Sequence, residues 1–149
     1  MKALGDACVS NMSAATNFNC MVIGNSGLGK TTFINSFLDL KFDRVPDLIE
    51  HYSLNPSTRA FVHNKATRTE NGMQFNIDFI DTPGYGSYKS IDIWIQMMKR
   101  VINTSAYEYY AQKKKKNLSE RNDTRIHLAL FFVDGTRVKD VDKRAMFEL

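Results

Sequence analysis

Cysteine is scarce in this chain. Cys8 and Cys20 are the only two among 149 residues, and no ligand-like spacing joins them. That excludes a disulfide framework and makes a reducing cytosolic setting the expectation. Cys20 falls inside an apolar run and reads as a small buried hydrophobe. No apolar run is long enough to cross a membrane. The N-terminal stretch has no apolar segment of the kind that marks a secretory signal. Its Ser, Asn, Ala and Gly content reads as a flexible tail over residues 1–17. No internal repeat is visible. His51, His63 and His127 are scattered, and none is assigned a metal; His127, opening a strand, is expected to hydrogen-bond locally.

What remains is the composition of an ordinary globular domain, 43% apolar and 24% charged. A chain of this length can bury roughly 70% of its unfolded surface, enough for a core. The net charge of +4 favours anionic ligands or surfaces without naming one.

The strongest local signal is Gly24-Asn25-Ser26-Gly27-Leu28-Gly29-Lys30-Thr31, which fits G-x-x-x-x-G-K-[ST]. Phe18 to Ile23 reads as a buried strand directly before it, and Thr31 to Leu40 as a helix directly after it. Strand, glycine loop and helix is the context that this phosphate-binding motif requires. Backbone N–H groups of such a loop converge on an anion, and the positive end of the helix dipole adds to them. Gly24, Gly27 and Gly29 permit unusual backbone angles and close approach by phosphate oxygens. Lys30 supplies a cation for the outer phosphates, and Thr31 a hydroxyl for Mg²⁺.

Beyond the first helix, Lys41 to Pro56 reads as irregular, broken by Pro46 and Pro56. Ser57 to Arg68 leans to strand. Asn71-Gly72 signals a tight hairpin into a strand from Met73 to Asp81, where Met73, Phe75, Ile77 and Phe79 alternate with polar residues. From Ser87 to about Gln112, Ile91, Trp94, Ile95, Met98, Val101 and Ile102 repeat at helical spacing and form a core-facing stripe. Ile126 to Val133 reads as a fully buried strand. Asp140 to Leu149 begins a further helix, with Val141, Ala145 and Leu149 on one side.

The second chemical constellation is Asp81-Thr82-Pro83-Gly84, a D-x-x-G sequence about fifty residues after the P-loop and at the end of a strand. In P-loop GTPases the Asp of this sequence belongs to the Mg²⁺ shell, and the Gly N–H meets the γ-phosphate. Loss of that phosphate releases the loop. Thr58, in the polar stretch between the two motifs, is the candidate for a hydroxyl that closes on Mg²⁺ and the attacking water. The alternative is a strand residue with no ligand, and the residues alone leave both open. Hydrolysis would be an in-line water attack stabilised by Mg²⁺ and Lys30. No Gln follows Gly84 at the water-positioning place; Tyr85 stands there.

These motifs resemble those of the septins. Met21 to Thr32 is similar to the septin P-loop, with its Ser-Gly-Leu-Gly-Lys core, and Asp81-Thr82-Pro83-Gly84-Tyr85-Gly86 resembles the septin form of D-x-x-G. Trp94, Tyr107-Glu108-x-Tyr110, Asp123 to His127, and Val138 to Asp142 with Met146 and Leu149 extend the likeness from about Phe18 to Leu149. Counting back from Asp81, Thr58 falls where septins carry the switch threonine. The resemblance implies a Ras-like, three-layer α/β/α domain with a mostly parallel sheet. It further implies GTP or GDP with Mg²⁺, slow or absent hydrolysis, and assembly with other septins into cytoskeletal filaments of cell division in the cytoplasm. In septin terms Gly24, Asn25, Ser26, Gly27, Leu28, Gly29, Lys30, Thr31, Thr32, Thr58 and Gly84 bind nucleotide. Thr31, Thr58 and Asp81 serve the metal, and Lys30, Thr58 and Gly84 the catalysis.

The chain also departs from that family. Ser87 stands where most septins have Asp, only Lys2 carries positive charge before Lys30, and no Ala-Lys-x-Asp guanine-reading sequence follows. Residues 18–149 therefore read as the N-terminal part of such a domain, C-terminally incomplete. An outer neighbour for the strand at Ile126 is missing, and the isolated chain is expected to self-associate. Two other readings stay open: a non-catalytic interaction module, and another P-loop GTPase of the Asp-Thr-Pro-Gly type. No nucleic-acid partner is expected. Lys113 to Lys116 reads as a solvated linker, with an anionic membrane surface as the alternative.

Overall fold

The computed structural model describes residues 15–41, 43–44, 51–52, 61–113 and 122–149. In chain order these form β1 (Thr16–Gly24), α1 (Lys30–Lys41), β2 (Asp43–Arg44), β3 (His51–Tyr52), β4 (Phe61–Glu70), β5 (Met73–Asp81), a single 3₁₀ turn (Tyr85–Ser87), α2 (Ile91–Lys113), β6 (Leu128–Phe132) and α3 (Asp140–Glu148). β1 takes in Thr16 and Asn17, the last two residues of the stretch read as a tail. Lys114 to Lys116 and Thr58 lie outside the described residues.

The sheet order is β2-β4-β5-β1-β6, with β3 also on β4. β1 runs parallel to both β5 and β6, whereas β4 is antiparallel to β5, and β2 and β3 are antiparallel to β4. β2 and β3 fall in the stretch that reads as irregular; at two residues each they are too short to show a period. The β4–β5 hairpin closes at Asn71 and Gly72, both with positive φ (52° and 77°), opposite the Glu70–Met73 pair. That geometry matches the right-handed twist of the strands and explains why Asn-Gly is a hairpin signal.

Alternation along β1 divides the core. Met21 and Ile23 face a cluster with Ile80 of β5, Tyr85 of the D-x-x-G loop, Trp94, Ile95 and Met98 of α2, and Ala145 of α3. Cys20 and Val22 face Ile34 and Leu38 of α1, with Ala66 and Phe79. Helices thus cover both faces, and Cys20 to Ile23 is buried on each side. Phe33, Phe37, Phe79 and Phe132 meet edge-on or offset-stacked beneath α1. Burial pushes the Cys20 thiol up to about 11.

β6 is shorter and wetter than the sequence suggests. It spans Leu128–Phe132 rather than Ile126 to Val133, and Leu128 is 42% exposed. Apolarity alone cannot report a strand's position in the sheet. β6 stands at the end of the strand order, with β1 its one strand neighbour among the described residues. His127, just before it, makes the expected local contact, its Nε2 lying 3.2 Å from Asp123 Oδ2, and also reaches further: its backbone N–H donates to Asn19 O (2.9 Å) and its Nδ1 accepts Asn19 N–H (2.9 Å). No helix among the described residues is long and apolar enough to cross a membrane.

Candidate functional site

The loop between β1 and α1 carries the first half of the site. Gly27 and Gly29 hold φ of 81° and 80°, angles that side-chain-bearing residues rarely adopt, and a Cβ there would meet nothing within 4 Å. Their glycine requirement is therefore one of backbone direction over open space. Gly24 differs, since a Cβ there would lie 2.5 Å from Phe132 O of β6. The ladder of α1 starts with Phe33 N–H donating to Gly29 O at 2.8 Å. The amides of Thr31 and Thr32, ahead of it, have no acceptor within the helix and lie at the positive end of its dipole. The Lys30 side chain runs beneath the loop, 7% exposed, and its ammonium donates to Asn25 O (2.8 Å) and Gly24 O (3.2 Å). A buried cation held by carbonyls beside helix amides that have no acceptor within the helix is chemistry suited to an anion.

The parallel pairing of β1 with β5 brings in the second half. In register, Val22 lies opposite Asp81, so β5 ends beside the start of the loop. Thr31 Oγ1 donates to Asp81 Oδ2 at 2.5 Å. A hydroxyl and a carboxylate, both hard oxygen donors, thus meet at the rim of the cradle, the donor type that suits Mg²⁺ with phosphate oxygens and water completing its shell. Gly84 sits directly on the P-loop: a Cβ there would fall 2.3 Å from Ser26 N and 2.7 Å from Ser26 Cα. Its φ is −65°, so close approach and not backbone angle demands the glycine.

The structure therefore joins Gly24 to Thr32, Asp81 and Gly84 in one place, while Thr58 is outside the described residues. It also shows contacts that motif reading passes over. Thr82, 4% exposed, donates its hydroxyl to Val22 O at 2.8 Å and ties the loop to β1. Trp94 Nε1 donates to Pro83 O at 2.8 Å. Tyr85 turns inward, edge-on to Trp94 with ring centroids 5.3 Å apart, and its hydroxyl donates to the buried Asp142 of α3. Asn25 Oδ1 accepts both Ser26 N–H (2.7 Å) and Gly86 N–H (3.0 Å), and Ser26 and Ser87 share a hydroxyl–hydroxyl bond of 2.8 Å. The contacts between elements carry no spacing signal, because each depends on which elements the fold sets side by side.

A separate cavity of about 600 Å³ lies between β4, β5 and α2, lined in part by His63, Asp78, Arg100 and Thr104 and by no P-loop residue. There His63 Nδ1 meets Asp78 Oδ2 at 2.6 Å, while the buried Asp78 Oδ1 has no hydrogen-bond partner among the described residues.

Comparison with known proteins follows the same lines. The family model described as Septin matches residues 14–149. The chain is 30% identical over 140 residues to Septin homolog spn1 of Schizosaccharomyces pombe, covering 89% of this chain and 29% of that protein. It is 31% identical over 129 residues to human Septin-9, covering 84% and 22%, and 30% identical over 140 residues to Cell division control protein 10 of Candida albicans, covering 89% and 38%. The chain thus spans well under half of each of these relatives. Among solved structures, the septin GTPase domain from Chlamydomonas reinhardtii superposes with a TM-score of 0.68 at 22% identity, over 90% of this chain and 49% of that one. At that identity the likeness speaks for the fold.

Proposed function

We propose, from the premise that this chain belongs to the septin family, that it binds GTP and GDP through the P-loop, hydrolyses GTP slowly or not at all, and assembles with other septins into cytoskeletal filaments. The observation that carries this reading is the meeting of Asp81 with Thr31 over the buried Lys30. It joins the two motifs at one rim. The loop amides and Lys30 hold the phosphates. Thr31 and Asp81, with Thr58, would hold Mg²⁺, which supplies charge neutralisation on the phosphate oxygens. Gly84 N–H reads the terminal phosphate at the point where its loop rests on Ser26.

Tyr85 supports the slow or absent hydrolysis. Its ring is 4% exposed and its hydroxyl is engaged by Asp142, so the residue after Gly84 offers nothing to orient a water. The same observation favours a second reading, a septin that uses nucleotide only as structure. Preference for guanine rests on kinship, since no Ala-Lys-x-Asp sequence occurs in the chain.

Titration with fluorescent GTP and ATP, with Lys30→Ala as control, tests binding. The reading expects saturable GTP binding that the substitution abolishes. Equal binding by wild type and Lys30→Ala would overturn it. Single-turnover hydrolysis then separates slow enzyme from structural binder.

A further inference from the structure

We propose that Asn25 is a clamp that seats the D-x-x-G loop on the P-loop independently of any third phosphate. Gly86 N–H donates to Asn25 Oδ1 at 3.0 Å, and the same oxygen takes Ser26 N–H at 2.7 Å. Ser87 Oγ meets Ser26 Oγ at 2.8 Å. Gly84 is packed too closely for a side chain, its Cβ position falling 2.3 Å from the backbone N of Ser26, and a Cβ on Gly86 would fall 2.3 Å from Asn25 Oδ1 and push that side chain aside. On its other side the loop is fixed by Thr82 on Val22 O, Trp94 on Pro83 O and Tyr85 on Asp142. Every one of these contacts joins protein atoms.

The consequence follows from linkage. A ligand moves an equilibrium only by its differential affinity for the two states. Where the loop is already seated by Asn25 and Ser87, little population remains for a γ-phosphate to recruit. The loop is then a fixed reader, whose amide is offered at constant position, and not a switch that orders on triphosphate and relaxes on diphosphate. Asn25 acts through Gly86 as a positioning residue. An acceptor oxygen at that place is the requirement, so Asp should serve and Ala should not.

This inference rests on the nucleotide reading only for its second arm. The first arm uses the protein alone: hydrogen exchange of the Gly86 amide in wild type, Asn25→Ala, Asn25→Asp and Ser87→Ala. Loss of one such bond speeds exchange by about tenfold in Asn25→Ala and a few-fold in Ser87→Ala, while Asn25→Asp stays within about twofold of wild type. An unchanged Gly86 rate in Asn25→Ala, with Ser87→Ala also unchanged, would overturn the clamp. A loss of protection in Asn25→Asp equal to that in Asn25→Ala would do so too. The second arm adds GDP or a non-hydrolysable GTP analogue and follows Trp94, the one tryptophan, which reports the loop through Pro83. Wild-type emission and Gly86 exchange are expected to be the same with either nucleotide, and Asn25→Ala to become nucleotide-dependent. Protection of wild-type Gly86 that arises only with the triphosphate analogue would also overturn it. Absence of nucleotide binding would remove the nucleotide reading and leave the clamp to be decided by the first arm.

Discussion

Tyr85→Phe removes one hydroxyl and leaves the ring in place. The ring is 4% exposed and edge-on to Trp94, so its packing survives the change. What is lost is the donor to Asp142, a carboxylate 3% exposed whose other oxygen accepts Lys139 N–H at 2.7 Å. A hydrogen bond to a charged group contributes about 1.5–3 kcal/mol, and a buried acceptor left short of a donor falls toward the upper end. At about 2–4 °C per kcal/mol for a chain of this size, the melting temperature should drop by roughly 3–12 °C. Thermal and urea unfolding followed by circular dichroism give the number. A cycle with Asp142→Asn gives the coupling, expected at about 1 kcal/mol or more. A Tyr85→Phe protein melting within about 1 °C of wild type, or strict additivity in the cycle, would refute the reasoning.

Three further outcomes are expected. Gly84→Ala places a methyl 2.3 Å from Ser26 N; relieving it costs about 1–3 kcal/mol, so calorimetry should show a roughly 5- to 150-fold weaker triphosphate affinity and a smaller change for diphosphate. The Arg125 guanidinium, bonded to Asp123 at 2.6 and 2.9 Å, holds that carboxyl well below its usual range, helped by the Arg125 amide and by His127. A lowered folded-state pKa gives stability that is fully present above the ordinary carboxylate range and lost only as pH falls through the lowered folded value, so the urea midpoint of wild type should exceed that of Asp123→Asn at pH 7, with the gap narrowing as pH drops beneath the ordinary carboxylate range and closing only well below it. Cys20, buried with its thiol pushed up to about 11, should resist a thiol reagent in a Cys8→Ser background until the chain unfolds; rapid labelling of folded protein would contradict that burial.

Much of the fold is legible in the sequence because the signals are periodic and long. The apolar run at Cys20 to Ile23, the stripe from Ile91 to Ile102 and the Asn71-Gly72 turn each report one element through its own residues. The phosphate cradle is legible for a related reason: Gly27, Gly29 and Lys30 must sit at fixed spacing on one loop. The strand at Leu128 misleads, since an apolar run looks alike at the centre of a sheet and at its end, and only the pairing order decides. The supports of the second motif are invisible for the converse reason. Thr82 is 60 residues from Val22, and Tyr85 is 57 from Asp142. A hydroxyl or carboxylate at such separations has no pattern until the chain folds.

The place after Gly84 has to choose between two duties, and the contacts around Tyr85 fix the choice. To reach a water beside the terminal phosphate, Tyr85 would have to leave Trp94 and surrender Asp142. Re-exposing an aromatic ring of this kind costs about 1.5–3 kcal/mol, and breaking the bond to the buried carboxylate about as much again. A penalty of about 3–6 kcal/mol leaves the outward form at roughly one part in a hundred to one in twenty thousand. On the nucleotide reading, then, slow or absent turnover would be no separate property awaiting its own cause. It would follow from the interactions that fasten the loop to α2 and α3, and a substitution that frees Tyr85 should speed any chemistry only as far as it loosens the fold.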